Sequence, residues 1–214
     1  CYITDSFDVI VEPLAEPNVV ASTNIACVNF GETSVNNTLV LDSQVTGSYT
    51  FEWYADGNLI PGETGPTLTV TEVTQAQVVF SVIAISNSAL QCASDTTPDR
   101  TRFTVIRSGL ASNITYTVTN AFSEQQIITV TNDGYGIYHY SLDDGPILDN
   151  GGIFTNVPLG PHTVHVWDMR DPNGFSCGVV SIEGVQIIDY PHDFTPKGEG
   201  YHDKWIVYGK VDGF

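Results

Sequence analysis

The chain has 214 residues, with 7 basic and 25 acidic side chains and a formal net charge of −18. This charge excludes a protein that tracks nucleic-acid phosphates or docks on anionic lipid, because both partners would repel it. Val, Ile and Thr number 64 against 20 for Leu and Ala, and β-branched side chains favour strands over helices. The composition therefore predicts an all-β protein, with 19 Gly and 11 Pro available for turns.

The chain opens at Cys1 without the cationic stretch and apolar run of a signal peptide. Its longest apolar run, residues 78–85, is far short of the roughly 20 residues that cross a bilayer. We therefore expect no membrane insertion, and we interpret the start as that of a mature or excised piece of a longer protein. Four cysteines in an acidic all-β chain, none in a Cys-x-x-Cys pair, favour an oxidising exterior.

A cysteine precedes a short strand-like segment three times along the chain. Cys1, Cys92 and Cys177 play this part, at spacings of 91 and 85 residues, which is the size of a β-sandwich module. The repeat predicts two full modules between fragments of two others. The predicted limits are 1–13 for the last strand of a preceding module, 14–106 and 107–189 for two β-sandwiches, and 190–214 for the beginning of a further β domain.

The first full module has the alternation of a half-buried strand at residues 49–54. The stretch 51–57, Phe-Glu-Trp-Tyr-Ala-Asp-Gly, resembles the immunoglobulin-like repeats of bacterial surface proteins, in which an aromatic-x-Trp-Tyr strand leads into an Asp-Gly turn. The resemblance implies an immunoglobulin-like β-sandwich. Trp53 is interpreted as a core residue, because aromatic side chains dominate such cores.

The second module carries the stretch Tyr-Ser-Leu-Asp-Asp-Gly at 140–145, a strand at 162–166 and a loop at 168–178 that contains Cys177. These stretches resemble the penultimate modules of large adhesins from gliding bacteria. The resemblance implies a second immunoglobulin-like sandwich.

The cysteines allow several pairings. Cys27 and Cys92 occupy positions that can meet at one end of a sandwich, so we predict a Cys27–Cys92 disulfide, with two free thiols as the alternative. Closing that loop would contribute roughly 4 kcal/mol on a chain-entropy account. Cys1 is expected to pair upstream and Cys177 to remain a free, mostly buried thiol, while a Cys1–Cys177 bond is discounted.

No group of side chains in the sequence predicts catalysis, a metal site or a cofactor. His162 and His165 are three apart on a predicted strand and so face opposite sides. Two turns are rich in oxygen ligands that Ca²⁺ can use, but their spacing is not that of an EF-hand loop, and solvated turns are the favoured interpretation. The residues of these turns are Asp143, Asp144, Asp149, Asp168, Asp171 and Asn173.

The segment 190–205 carries the most specific motif, Tyr-Pro-His-Asp-Phe-Thr-Pro-Lys-Gly-Glu-Gly-Tyr-His-Asp-Lys-Trp. It resembles the opening of the type B C-terminal sorting domain of the type IX secretion system, also called the gliding-motility-associated C-terminal domain. The matching positions, which the resemblance implies are recognised as a sorting signal, are Tyr190, Pro191, Phe194, Thr195, Pro196, Gly198, Gly200, Asp203 and Trp205. Packing of Phe194 and Trp205 inside the sorting domain itself is the alternative to recognition.

These resemblances imply the non-catalytic stalk and C-terminal region of a secreted bacterial cell-surface adhesin or gliding-motility protein. The implied partners are the translocon and shuttle proteins of type IX secretion at the outer membrane, with a glycan or other surface ligand bound by upstream modules. Two alternatives remain open. The modules could be accessories of a secreted polysaccharide-degrading enzyme, or a carbohydrate-binding module that uses an aromatic such as Trp167 or Tyr135 as a stacking platform.

Overall fold

A computed structural model describes residues 11–95, 99–120, 123–171 and 176–189. Regular structure in these ranges is thirteen strands and one 3-10 turn, Asp99–Thr101. The strands are β1 (Ile25–Cys27), β2 (Val40–Asp42), β3 (Tyr49–Ala55), β4 (Asn58–Leu59), β5 (Thr67–Thr69), β6 (Gln77–Ser86), β7 (Arg102–Ser108), β8 (Ser112–Val118), β9 (Ile127–Asp133), β10 (Tyr138–Leu142), β11 (Ile153–Thr155), β12 (Gly160–Asp168) and β13 (Val179–Ile187). The predicted all-β class is confirmed. In this part of the chain no helix has the length and apolar character needed to span a membrane.

The strands form four sheets. Their orders are β1-β7-β6-β3-β4, β2-β5, β10-β12-β13 and β11-β9-β8. Contacts divide the described residues into two compact units, the first with residues 11–24 and 37–106, and the second with residues 25–36 and 107–189. The segment 25–36, which the sequence placed in the first module, thus belongs to the second unit.

The core of the first unit follows from strand alternation. β3 and β6 pair antiparallel in seven residue pairs, from Tyr49↔Ser86 to Ala55↔Phe80. Phe51 and Trp53 on β3 are 4% and 0% exposed, and the Trp53 indole Nε1 donates to the Gly65 carbonyl at 3.0 Å. The predicted core position of Trp53 is confirmed, because its apolar ring is buried and its one polar atom has a partner.

The second unit is a sandwich whose two sheets share one core. Buried residues come from the inner faces of both sheets and from their connections: Ala111, Ile128, Val130, Tyr140, Phe154, Val157, Val164, Val166, Val185 and Ile187. On β12 alternate residues are buried from His162 to Asp168. The intervening residues, including His165 and Trp167, therefore lie on the outer face of the β10-β12-β13 sheet.

A disulfide joins Cys27 to Cys177, with 2.08 Å between the sulfur atoms and 5.5 Å between the Cα atoms. Both cysteines belong to the second unit. Cys92 is a half-buried free thiol. The predicted Cys27–Cys92 disulfide is wrong, and so is the prediction that Cys177 is free.

The two ends of β6 explain the error. Ile106, which pairs with Gln77 at the first residue of β6, donates its amide to the Asn24 carbonyl at 2.8 Å. Cys92 lies at the other end, where its carbonyl accepts from the Ser86 amide at 3.0 Å. Ten strand residues span roughly 30 Å, so Asn24, three residues before Cys27 in the chain, lies at the end of the sheet away from Cys92. Disulfide Cα atoms must come within about 7 Å of each other.

Candidate functional site

The nine residues predicted as a sorting signal, Tyr190, Pro191, Phe194, Thr195, Pro196, Gly198, Gly200, Asp203 and Trp205, lie outside the described residues. Their role stays a prediction.

The outer face of the β10-β12-β13 sheet gathers an aromatic ring, two imidazoles and two hydroxyls. Antiparallel register sets His139 opposite Trp167 and Ser141 opposite His165. On the other side of β12, Val179 lies opposite Trp167 and Ser181 opposite His165. We call this surface the Trp167 face; it consists of His139, Ser141, His165, Trp167, Val179 and Ser181.

The Trp167 indole lies over the sheet. Its Nε1 donates to the Ser141 hydroxyl at 3.0 Å. Tyr140 and Leu142 contact the core, so the Ser141 side chain points to the solvent side, yet Ser141 is only 2% exposed. The indole reaches Ser141 with its ring edge, because the Nε1–H bond lies in the ring plane. Trp167 as a whole is half-buried.

Polar groups border the indole on two sides. The His165 ring centroid is 6.2 Å from that of Trp167, and His165 Nδ1 is 2.7 Å from the Ser181 hydroxyl. His139 Nε2 is 4.0 Å from a carboxylate oxygen of Asp149, whose side chain is 80% exposed. The Trp167 face thus combines a flat apolar ring with hydrogen-bonding groups at its border.

Tyr135, the second aromatic considered as a platform, is engaged within its own unit. The Arg107 guanidinium carbon lies 3.8 Å from its ring centroid, and the Phe30 ring lies 5.4 Å away. The Tyr135 hydroxyl accepts from the Gly31 amide at 3.1 Å. Arg107 occupies one face of the ring, in a cation–π contact.

The first acidic turn is held by His162, which is 8% exposed. His162 Nδ1 is 2.8 Å from Asp143 Oδ2, and Nε2 is 2.8 Å from the Pro158 carbonyl. The other Asp143 oxygen accepts from the Thr163 amide at 2.8 Å. Burial alone would lower the pKa of His162, but the hydrogen bonds to Asp143 and Pro158 outweigh it and the pKa is raised.

The second acidic turn begins at Asp168, which is 1% exposed. Its Oδ2 accepts from the Ser108 hydroxyl at 2.7 Å and from the Cys177 amide at 3.1 Å. Its Oδ1 accepts from the amides of Ile137 at 3.3 Å and Arg170 at 3.2 Å. The carboxylate is thus fully used inside the unit, as a buried charge requires. Asn173 of the same turn lies outside the described residues, and among those described no three His, Cys, Asp or Glu side chains group as metal ligands would.

The first unit has a cavity of about 430 Å³ beside β4 and β5. Three carboxylates line it, Asp56, Glu63 and Glu72, together with apolar groups such as Phe80. Asp56 Oδ1 accepts from the Val79 amide at 2.8 Å, so this carboxylate ties the turn after β3 to β6.

Sequence reasoning named Trp167 but missed its neighbours and the role of Asp168. The alternation along β10 predicts that His139 and Ser141 point outward. Their positions opposite β12 depend on the register between two strands that are separated by seventeen residues in the chain, and local sequence does not encode that register. Asp168 continues the alternation of His162, Val164 and Val166, which are buried on β12. That alternation was a usable signal that the Asp168 side chain points inward.

No family model and no curated protein matches the chain. Among solved structures, fibronectin(III)-like modules of Clostridium thermocellum CbhA match with a TM-score of 0.36 and 16% identity, over 77% of this chain and 92% of that one. The three N-terminal domains of the highly immunogenic outer capsid protein Hoc of bacteriophage RB49 match with a TM-score of 0.36 and 13% identity, over 84% of this chain. This chain covers 62% of that structure, less than two thirds of its length. These likenesses concern the fold alone.

Proposed function

We propose that the chain is the non-catalytic stalk and C-terminal region of a secreted bacterial surface adhesin or gliding-motility protein. Its 190–214 segment is the address read by the type IX translocon and its shuttle proteins. The motif at 190–205, with nine positions that match the sorting-domain opening, is the observation that carries this proposal.

Two features of the described residues support it. The Cys27–Cys177 disulfide is chemistry of an oxidising compartment. Tandem β-modules with an overall charge of −18 suit an exposed, self-repelling stalk.

The non-catalytic part of the proposal has its own support. Three titratable groups are buried in the described part of the second unit, Asp168, His162 and Tyr140. All three make internal hydrogen bonds. A general acid or base needs an atom free to reach substrate. We therefore assign these groups a structural role, in which their hydrogen bonds stabilise the unit.

A reporter fused to the full chain, residues 1–214, tests the sorting assignment in a type IX-competent bacterium. We expect surface delivery of this fusion and none after truncation at residue 189. A triple variant, Lys197→Gln with Glu199→Gln and His202→Gln, should reduce delivery at an unchanged melting temperature if the segment is recognised directly. The matched control substitutes three exposed acids of the sandwich, Asp144→Asn, Asp149→Asn and Glu183→Gln. Undiminished delivery of the truncated fusion would refute the assignment.

A second candidate function, glycan binding, is favoured by the half-buried Trp167 indole on the outer face of the sheet, with Ser141 and His165 beside it. One face of a sugar ring presents C–H groups that suit the exposed part of the Trp167 indole, while its hydroxyls suit the imidazoles and the Ser181 hydroxyl at the border. Sites for small ligands combine apolar surface and a few placed polar groups in this way.

A glycan array followed by calorimetry with the best ligand tests this candidate. Trp167→Leu keeps an apolar side chain and loses the flat ring, so we expect affinity to fall at least tenfold, about 1.4 kcal/mol. Tyr116→Ala removes an aromatic on β8 that is 42% exposed, and should leave affinity unchanged. Equal loss in both variants, or no glycan bound by the unaltered chain, would contradict it.

A further inference from the structure

We propose that the Cys27–Cys177 disulfide is a mechanical bypass, which carries tension past most of the two units when the chain is pulled along its length. The inference rests on the proposed stalk role for its biological purpose. The bypass itself is a property of the covalent chain.

The covalent path sets which strands bear load. The two cysteines are 150 residues apart, and every strand from β2 to β12 lies in the loop between them. Tension that enters before Cys27 and leaves after Cys177 crosses the sulfur–sulfur bond, because that bond is the shortest covalent route. The looped residues can then lose their fold without lengthening the chain.

The peptide on the Cys27 side of the bond is firmly held in the second unit. Ile25, Ala26 and Cys27 are 2%, 0% and 8% exposed. The Val28 amide donates to the Ser108 carbonyl at 2.9 Å, and the Asn36 amide to the Cys27 carbonyl at 2.7 Å.

The Cys177 side is tied to the same residue, Ser108. The Ser108 hydroxyl and the Cys177 amide both donate to Asp168 Oδ2, and the Asp168 amide donates to the Gly178 carbonyl at 3.0 Å. Ser108 and Asp168 are 0% and 1% exposed. Water competes poorly for buried hydrogen bonds, so both anchors of the disulfide are fixed by one buried network.

Only the flanks remain in the load path. On the N-terminal side, Val20 exchanges backbone hydrogen bonds with Asp42 at 2.9 Å, and the Val19 amide donates to the Arg100 carbonyl at 2.8 Å. On the C-terminal side, β13 pairs with β12 at seven positions. We expect these contacts to yield first under tension.

Single-molecule stretching of the full chain between handle domains measures the bypass. With the disulfide intact, the fully stretched chain should be shorter than that of the double variant Cys27→Ser, Cys177→Ser by about 500 Å, since an extended residue spans roughly 3.3–3.6 Å. This difference holds even if the double variant is unfolded at the start, because it compares contour lengths. Cys92→Ser is the matched control and should stretch like the unaltered chain.

Other outcomes decide against the proposal. Equal contour lengths for the unaltered chain and the double variant would overturn it. A shortening of about 220 Å that is absent in Cys92→Ser would indicate a Cys27–Cys92 disulfide, which spans 65 residues. That result would also overturn the proposal. Neither result would bear on export, so failure of the bypass and failure of the sorting assignment can be told apart.

Discussion

Both ring nitrogens of His162 face acceptors, and this arrangement favours the imidazolium form. Asp143 and the Pro158 carbonyl offer only oxygen lone pairs at 2.8 Å each, and a neutral imidazole can donate to just one of them. Asp143 is the charged group that acts on the ring. Burial would raise the pKa of Asp143, but the hydrogen bonds from His162 and the Thr163 amide outweigh it and leave the pKa lowered.

Stability should therefore depend on pH through this pair. The pKa of His162 is raised on folding. Its contribution to the free energy of unfolding is therefore complete below the pKa of the unfolded chain, about 6.5. That contribution is lost as pH rises through the pKa of the folded protein. The contribution of Asp143, with a lowered pKa, is lost only on acidification. Denaturant unfolding between pH 5.5 and 8.5 should show a decline that His162→Gln reduces and His165→Gln does not. An identical decline in His162→Gln would contradict this.

The buried carboxylate of Asp168 is expected to be among the most sensitive positions. Asp168→Ala leaves the Ser108 hydroxyl and three backbone amides without their acceptor, at about 1–3 kcal/mol for each buried group that finds no other partner. We expect a loss of at least about 3 kcal/mol in the free energy of unfolding. Asp149→Ala, at a side chain that is 80% exposed, should change it by less than about 0.5 kcal/mol.

At the scale of elements, the link from β7 to β8 depends on a close backbone approach. A Cβ on Gly109 would lie 2.1 Å from the Val28 carbonyl oxygen. Because this neighbour is a backbone atom, it cannot move aside as the end of a flexible side chain could. Gly109→Ala should destabilise the second unit by about 1–3 kcal/mol, measured by thermal unfolding. Gly65→Ala, where the nearest atom is 3.8 Å away, is the control and should be close to neutral.

Long alternating strands were predictable, and short ones were not. β3 and β6 have seven and ten residues, enough for period-two alternation to show their buried faces. β1 has three residues, all buried, and three residues carry no period. Nothing local therefore indicated that the segment 25–36 packs with the second unit.

For the whole molecule, the same short segment decides the disulfide. The repeat logic assigned each cysteine to the module that surrounds it in sequence, which left Cys177 without a partner. The structure places Cys27 with the second unit, where Cys177 is 5.5 Å away between Cα atoms. A spacing pattern orders cysteines along the chain, whereas pairing depends on which segments pack together. The Trp167 face was half predictable for a similar reason. Trp167 and His165 lie on one strand, β12, but the other four residues of the face lie on two neighbouring strands.

Peptide mapping of the disulfide checks the cysteine pairing directly. Digestion without reduction should yield a linked peptide pair that contains Cys27 and Cys177. Of the three cysteines Cys27, Cys92 and Cys177, only Cys92 should be alkylated. Reduction before digestion is the control and should make all three alkylatable. A linked pair that contains Cys92 would contradict the structure.

Localisation of the parent protein tests the central claim, export of these modules to the cell surface by the type IX route. An antibody raised against residues 11–189 would be applied to intact cells of the source organism and of a mutant that lacks the translocon. We expect surface labelling in the parent strain and its loss in the mutant, with the protein retained inside the cell envelope. Equal surface labelling of the two strains, or a protein found only in the cytoplasm of the parent strain, would contradict the account.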